Sequence, residues 1–139
     1  ASDVYKRQDK TLVTLAEELE FLQSYLFLHE VRLGDCISCN CCIPSGYTGC
    51  MLPPLTLQLL AENVINHNSI TLSKPMKIEI CLEEEYLVVS NPIQPKKSHE
   101  SPGVGLKNLS NRCLLMLGKE IIIQREEKVF TVKVPLLYE

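Results

Sequence analysis

The sequence predicts an α+β fold, a two-layer sandwich with a long helix on its N-terminal side. The first observation is the order of its apolar patterns: helix, strand, helix, two strands, loop, helix, two strands. The second is its composition, because 139 residues that are 45% hydrophobic and 22% charged suit one domain with its own core. The third is that no internal repeat divides the chain.

The charge, the hydropathy and the cysteine content exclude several classes of protein. The net charge is −3 and the Lys and Arg residues are scattered, so we expect no nucleic acid partner. No apolar stretch is long enough to cross a bilayer. An odd number of cysteines, seven, without a signal-peptide pattern predicts a reducing compartment and free thiols.

The first helix begins with a capping box, Thr14 and Glu17. Two apolar stripes follow. One has heptad spacing: Leu15, Leu19, Leu22, Leu26, His29 and Leu33. The other is Phe21, Tyr25 and Leu28. One helix cannot bury both, so we expect a partner helix from another chain or from upstream sequence. Residues 1–10 share no pattern with this segment and are interpreted as a non-native or disordered leader.

Five of the seven cysteines fall between residues 36 and 50. The alternation of Ile37, Cys39, Cys41 and Ile43 predicts a strand whose inward thiols serve as small apolar side chains. Cys36-x-x-Cys39 resembles half of a zinc site, but no second pair completes it. A metal or redox sensor therefore stays open as the less favoured alternative.

The remaining elements follow from periodicity and turn residues. We expect a helix over 55–68, a hairpin of strands 76–83 and 85–91, and a loop over 92–105. A third helix is expected over 106–117 with Gly118 at its C-terminal cap. A last hairpin turns at Glu127–Lys128.

Two segments carry candidate chemistry. One face of the second helix holds Glu62, Asn63, Asn66 and His67 without any Lys or Arg, and an Asn oxygen suits Mg²⁺. "SPGVGLKNLSNR" places glycines before a helix start, where free N–H groups attract anions. A solvated helix face is the ordinary interpretation of the first segment, and the absence of Lys and Arg argues against it. For the second segment alone, a plain helix-entry loop is the favoured interpretation.

Together these segments resemble the GHKL-type (HATPase, Bergerat-type) ATP-binding domain of LytS-like sensor histidine kinases, which has a mixed, mostly antiparallel sheet. "LPPLTLQLLAENVINHN" resembles the family's N-box, "GVGLKNLSNRC" its second glycine box and "FTVKVPLL" its closing strand. "TLAEELEFLQSYLFLHEVRLGD" resembles the last helix of the dimerisation region. The resemblance implies a dimerisation and phosphotransfer segment over 11–35 and a catalytic domain over 36–139.

The resemblance also implies roles for the polar residues on the second predicted helix. Asn63 would coordinate the Mg²⁺ that bridges the phosphates of ATP, and Glu62 would position water or metal. Asn66 takes the place of a phosphate-binding Lys of the family, and His67 matches the family's His. Lys96 and Lys97 are available to replace that charge, or are ordinary solvated lysines.

In the glycine box, the resemblance implies a phosphate-side lid hinge formed by Gly103, Gly105 and Leu106, with their backbone N–H groups on the anion. Asn108 and Arg112 match commonly occupied positions on the helix that follows.

The sequence differs from the family's pattern at two places, and these differences motivate an alternative function. Asn91 stands where the family has the Asp that accepts from the adenine amino group, and no glycine follows it. The Thr-Gly pair before the last strand is also absent. The alternative is a degenerate domain that no longer binds ATP and acts as a dimerisation or regulatory module.

For the whole protein, the resemblance implies transfer of the γ-phosphoryl group of ATP to a His and then to a response regulator, of the LytTR type. It implies a homodimer through the helical region and a cytoplasmic position below a membrane anchor in missing upstream sequence. His29, His67 and His99 all lack the family's phosphoacceptor context, so the acceptor is expected outside this fragment.

Overall fold

A computed structural model describes residues 11–33, 36–96 and 104–138, with backbone alone for 30–33. Its helices are α1 (Leu15–Leu33), α2 (Thr56–His67) and α3 (Val104–Leu117). Its strands are β1 (Val13–Thr14), β2 (Ile37–Cys42), β3 (Met51–Leu52), β4 (Met76–Glu83), β5 (Tyr86–Pro92), β6 (Ile122–Arg125) and β7 (Val129–Pro135). The predicted α+β fold is confirmed.

Within this part of the chain the main sheet has the order β2-β4-β5-β7-β6. Strands β2 and β4 are parallel, and the other neighbours are antiparallel, so the sheet is mixed as expected. One face alternates into the core, as the burial of Ile78 and Ile80 in β4 and of Leu87 and Val89 in β5 shows. Both predicted hairpins are present.

The core lies between this face and the helices. Helix α2 contributes one buried stripe, Leu57, Leu60, Ala61 and Val64. Helix α3 contributes Leu106, Leu109 and Cys113. Both stripes follow helical spacing, so burial of these side chains fixes which face of each helix meets the sheet.

Helix α1 begins at the predicted capping box. The Glu17 N–H donates to Thr14 Oγ1 at 3.2 Å, and the Thr14 N–H donates to Glu17 Oε1 at 3.2 Å. Leu15, Leu22 and Leu26 of the heptad stripe are buried. The second stripe is only partly covered, with Leu28 66% exposed and Phe27 beside it 62% exposed.

A small second sheet ties the start of α1 to the rest of the domain. Strand β1 pairs with β3, and Met51 bridges to Leu137. The Leu15 N–H donates to the Cys50 carbonyl at 2.8 Å. The sequence did not predict this sheet, because strands of two residues are too short to show a period.

The start of α3 and the limits of the described residues both affect the glycine segment that the sequence singled out. Helix α3 begins at Val104, two residues before the predicted start, so Gly105 and Leu106 lie in its first turn rather than in the loop. Gly103, Lys97 and His99 lie outside the described residues. No helix in the described ranges combines the length and apolarity needed to span a bilayer.

The end of α3 provides a stability prediction. Gly118 has φ +77° and its N–H donates to the Leu114 carbonyl at 2.9 Å, which is the left-handed cap expected of a helix end. A Cβ at Gly118 or at Gly49 would meet no atom within 4 Å, but Gly49 has no positive φ. Gly118→Ala should therefore lower the free energy of unfolding by about 1 kcal/mol through backbone strain alone.

The matched control is Gly49→Ala, which we expect to be neutral or slightly stabilising. Urea unfolding followed by circular dichroism measures both. Equal effects at the two positions would contradict the strain explanation.

Candidate functional site

The N-terminus of α2 is held by a carboxylate from α1. Glu18, only 5% exposed, accepts from the Leu55 N–H and the Leu57 N–H, both at 3.0 Å. Leu55 itself has φ 65°, a left-handed conformation that turns the chain from Pro54 into the helix. Because the first N–H groups of a helix have no partner within it, Glu18 acts as an N-cap supplied from another helix.

The predicted site residues Glu62, Asn63, Asn66 and His67 lie on α2 outside its buried stripe. Glu62 accepts from Gln58 Nε2 at 3.2 Å, and it is half-buried, as is Asn63. Asn66 is exposed and His67 half-buried. Within the described part of the chain, the side chains of Asn63, Asn66 and His67 make no hydrogen bond. Their polar atoms are thus available to a ligand.

Two contacts indicate that helix α3 runs in the opposite direction to α2. A Cβ at Gly105 would lie 3.9 Å from Leu59 Cδ2. Near its start, α3 therefore meets α2 with Gly105 beside Leu59. Further along α3, Arg112 Nη2 donates to the Pro54 carbonyl, just before α2 begins. Asn63 follows Leu59 by one helical turn on the same face of α2. The first turn of α3 therefore meets α2 one helical turn before Asn63.

The glycine box offers backbone groups rather than side chains. Gly105 and Leu106 lie in the first turn of α3, so their N–H groups lack acceptors within the helix. The Leu106 side chain is buried in the core, and Asn108 is exposed on the outer surface of α3. The arrangement suits an anion at the positive end of the helix dipole.

Asn91 is a polar side chain on the core face of β5. It continues the inward alternation of Leu87 and Val89 and is 4% exposed. Its Nδ2 donates to the Pro92 carbonyl at 2.8 Å. Strand β5 therefore carries a hydrogen-bonding amide beneath the helices at the position that the sequence singled out.

Two residues that sequence reasoning missed fix the end of α2. The Asn68 Oδ1 accepts from the Gln94 N–H at 2.8 Å, and its Nδ2 donates to the Val64 carbonyl at 2.8 Å. Gln94 Nε2 donates to the Ser69 carbonyl at 2.7 Å. These hydrogen bonds, called here the Asn68–Gln94 clamp, bring the start of the 92–105 loop beside the end of α2. Lys96, which is exposed, follows two residues after Gln94.

Both the sequence and the fold are similar to those of sensor histidine kinases, although no family model matches the chain. The sensor protein LytS of Oceanobacillus iheyensis is 31% identical over 158 aligned positions, which cover 96% of this chain and 26% of that protein. The catalytic domain of histidine kinase ThkA, in a nucleotide-free form, has a TM-score of 0.56 at 19% identity, with 93% of this chain and 98% of that chain covered. The cytoplasmic segment of histidine kinase QseC has a TM-score of 0.59 at 13% identity, and the match covers 93% of this chain and 78% of that chain.

This chain is a relative of the LytS-like sensor histidine kinases. Its fold is that of histidine kinase catalytic domains, and the solved structures establish the fold alone. The chain spans about a quarter of the length of the LytS relative.

The cysteines of this LytS-like chain do not form a metal centre in its described part. No group of three or more His, Cys, Asp or Glu side chains converges there. Burial, with a smaller contribution from Cys41, raises the pKa of Cys39 to about 11. Burial thus favours the neutral thiol of Cys39, as expected of a side chain that packs as a small apolar group. Cys41, predicted to be inward, lines the groove between β2 and α1 but is exposed there.

The buried carboxylate of this LytS-like domain gives a second stability prediction. Glu18→Gln keeps one acceptor oxygen but turns an amide N–H₂ towards a backbone N–H. We expect the free energy of unfolding to fall by about 2–3 kcal/mol, since a hydrogen bond to a buried charge is lost and a donor is left unpaired.

Glu20→Gln is the matched control, because Glu20 lies on the same helix and is exposed. Its effect should stay within about 0.5 kcal/mol. Denaturant unfolding of both variants measures the difference, and a Glu18 variant as stable as the control would show that the cap contributes little.

Proposed function

We propose that this domain binds ATP with Mg²⁺ between α2 and α3, as the catalytic domain of a sensor histidine kinase. The observation that carries the proposal is that the first turn of α3, at Gly105, meets α2 at Leu59, one helical turn before Asn63. We assign an anion-binding helix end and a neutral oxygen ligand to the same nucleotide site, and this proximity along α2 supports the assignment.

The phosphates are assigned to the first turn of α3. The N–H groups of Gly105 and Leu106 donate to phosphate oxygens, and the absence of a Cβ at Gly105 lets the ligand approach the backbone. Gly103 is assigned to the same hinge. Asn66 and His67 supply hydrogen bonds on the opposite side, and Lys96 or Lys97 supplies the positive charge that Asn66 cannot.

Asn63 is assigned to Mg²⁺ and Glu62 to a water or metal beside it. The fit rests on the unengaged Asn63 amide, whose oxygen is a suitable Mg²⁺ ligand. When bound, the ion neutralises charge on the transferring phosphoryl group. The protein's own contribution is to hold the nucleotide in position through two rigid helices, with Asn108 available at the rim of α3.

The adenine is assigned to Asn91. An amide oxygen accepts from the adenine amino group, but without the charge of the family's Asp. The weaker contact costs on the order of 1–2 kcal/mol, or about tenfold in affinity.

In the whole protein, the γ-phosphoryl group passes to a His on the dimerisation region and then to the Asp of a response regulator of the LytTR type. The homodimer forms through the helical segment 11–35, which the exposed Phe21, Phe27 and Leu28 of α1 support. The catalytic domain over 36–139 faces the cytoplasm, and upstream segments anchor the protein to the membrane.

A second candidate function is a nucleotide-free dimerisation or regulatory module. Asn91 favours it, because its amide already donates to the Pro92 carbonyl and carries no charge for adenine. The two candidates differ in one measurable property, nucleotide affinity.

Calorimetric titration with a non-hydrolysable ATP analogue tests the proposal. We expect binding in the micromolar to sub-millimolar range that requires Mg²⁺. Asn63→Ala should weaken it at least about tenfold, because the metal loses its protein oxygen ligand. Asn40→Ala is the matched control, since Asn40 is exposed on the outer face of β2. A folded protein that releases no heat at millimolar analogue would leave only the regulatory module.

Asn91→Asp tests the adenine assignment. The carboxylate strengthens the contact to the adenine amino group, so the analogue should bind about tenfold more tightly. Without nucleotide the variant should be less stable, because a buried charge replaces an amide that donates to Pro92. The same titration and a thermal melt measure both effects, and unchanged affinity with lower stability would place adenine elsewhere.

A further inference from the structure

The outer face of the sheet carries two cysteines side by side at the junction of β2 and β4. Cys42 pairs with Cys81 in the register of these parallel strands. Paired residues of neighbouring strands direct their side chains to the same face. Cys42 is exposed and Cys81 is partly accessible, so solvent reaches the pair.

The spacing of the pair suits a covalent link. Neighbouring strands lie about 4.8 Å apart, which falls within the Cα separation of about 4.4–6.8 Å that disulfides span. Burial raises the pKa of Cys81, and the adjacent Cys42 raises it further through its charge and its hydrogen bond. Cys42 Sγ also accepts from Asn40 Nδ2 at 3.5 Å on the same face.

The other five cysteines are placed differently. Cys39 and Cys41 face the groove between β2 and α1. Cys36, Cys50 and Cys113 are buried. Among the paired strand residues that the structure describes, Cys42 and Cys81 are the one cysteine couple in register.

We propose that Cys42 and Cys81 are a redox-active dithiol pair that hydrogen peroxide oxidises to a disulfide and that a thiol reductant restores. The Cys42 thiolate attacks the peroxide oxygen, which breaks the O–O bond, forms a sulfenic acid and releases water after protonation. The Cys81 thiolate then attacks the Cys42 sulfur and expels its hydroxyl group as a second water. Two thiols lose two electrons and two protons, and one peroxide is reduced to two waters.

The link joins the edge strand β2 to β4 and closes a loop that contains α2. Because a cross-link of this length restricts the unfolded chain, the oxidised form should melt about 5–10 °C above the reduced form. The proposal does not depend on nucleotide binding.

The test uses the full chain, reduced and then treated with hydrogen peroxide. We expect loss of two thiols per chain, a Cys42–Cys81 linked peptide in non-reducing peptide mapping, and full recovery with dithiothreitol. Cys42→Ser and Cys81→Ser should each abolish the link. Cys41→Ser is the matched control, since Cys41 is the exposed neighbour on the other face, and it should leave the link intact.

Three results would overturn the proposal. One is a link between other cysteines or between two chains, and another is oxidation to sulfinic acid without any link. The third is a Cys42–Cys81 link that lowers the melting temperature, because it would show that the folded sheet has to distort to form it.

Discussion

The contact between the Glu18 carboxylate and the N-terminus of α2 is the interaction on which the helical layer depends. The carboxylate is taken out of water, and that cost is offset only while both of its oxygens accept backbone N–H groups. The positive end of the α2 dipole adds to the attraction. Helix α1 and helix α2 are therefore fixed to each other at one point by hydrogen bonds, as well as by apolar packing.

The same short segment also fixes α3. Arg112 Nη2 of α3 donates to the Pro54 carbonyl, and Glu18 of α1 accepts from the Leu55 N–H. The residues before α2 are therefore bonded to both neighbouring helices. The opposite end of α2 is tied to the sheet side through Asn68 and Gln94. Both ends of α2, the helix that carries Asn63, are therefore held by hydrogen bonds to other elements. A movement of α1 along its axis would be transmitted to that helix through Glu18.

What the sequence predicted well is local or periodic. The capping box at Thr14, the two hairpins and the cap at Gly118 all depend on residues close together in the chain, and each is confirmed. From the sequence, Glu18 is indistinguishable from an ordinary polar residue in the first turn of a helix. Its hydrogen-bond partners, Leu55 and Leu57, are 37 and 39 residues away along the chain. The Asn68–Gln94 clamp escaped notice for the same reason. The start of α3 lies two residues before the predicted one because Gly105, a poor helix former, was assigned to the loop by its propensity.

The parallel pairing of β2 with β4 has a consequence for the order of folding. The β4–β5 and β6–β7 hairpins close over short turns, which takes microseconds in isolated hairpins, whereas β2 reaches β4 only after the chain has enclosed α2. Long-range parallel contacts form late, because loop closure costs entropy before the contacts repay it. Strand β2 is therefore expected to dock last. Until it does, the backbone edge of β4 lies unpaired, and this edge is where a partly folded chain is most exposed to association with another.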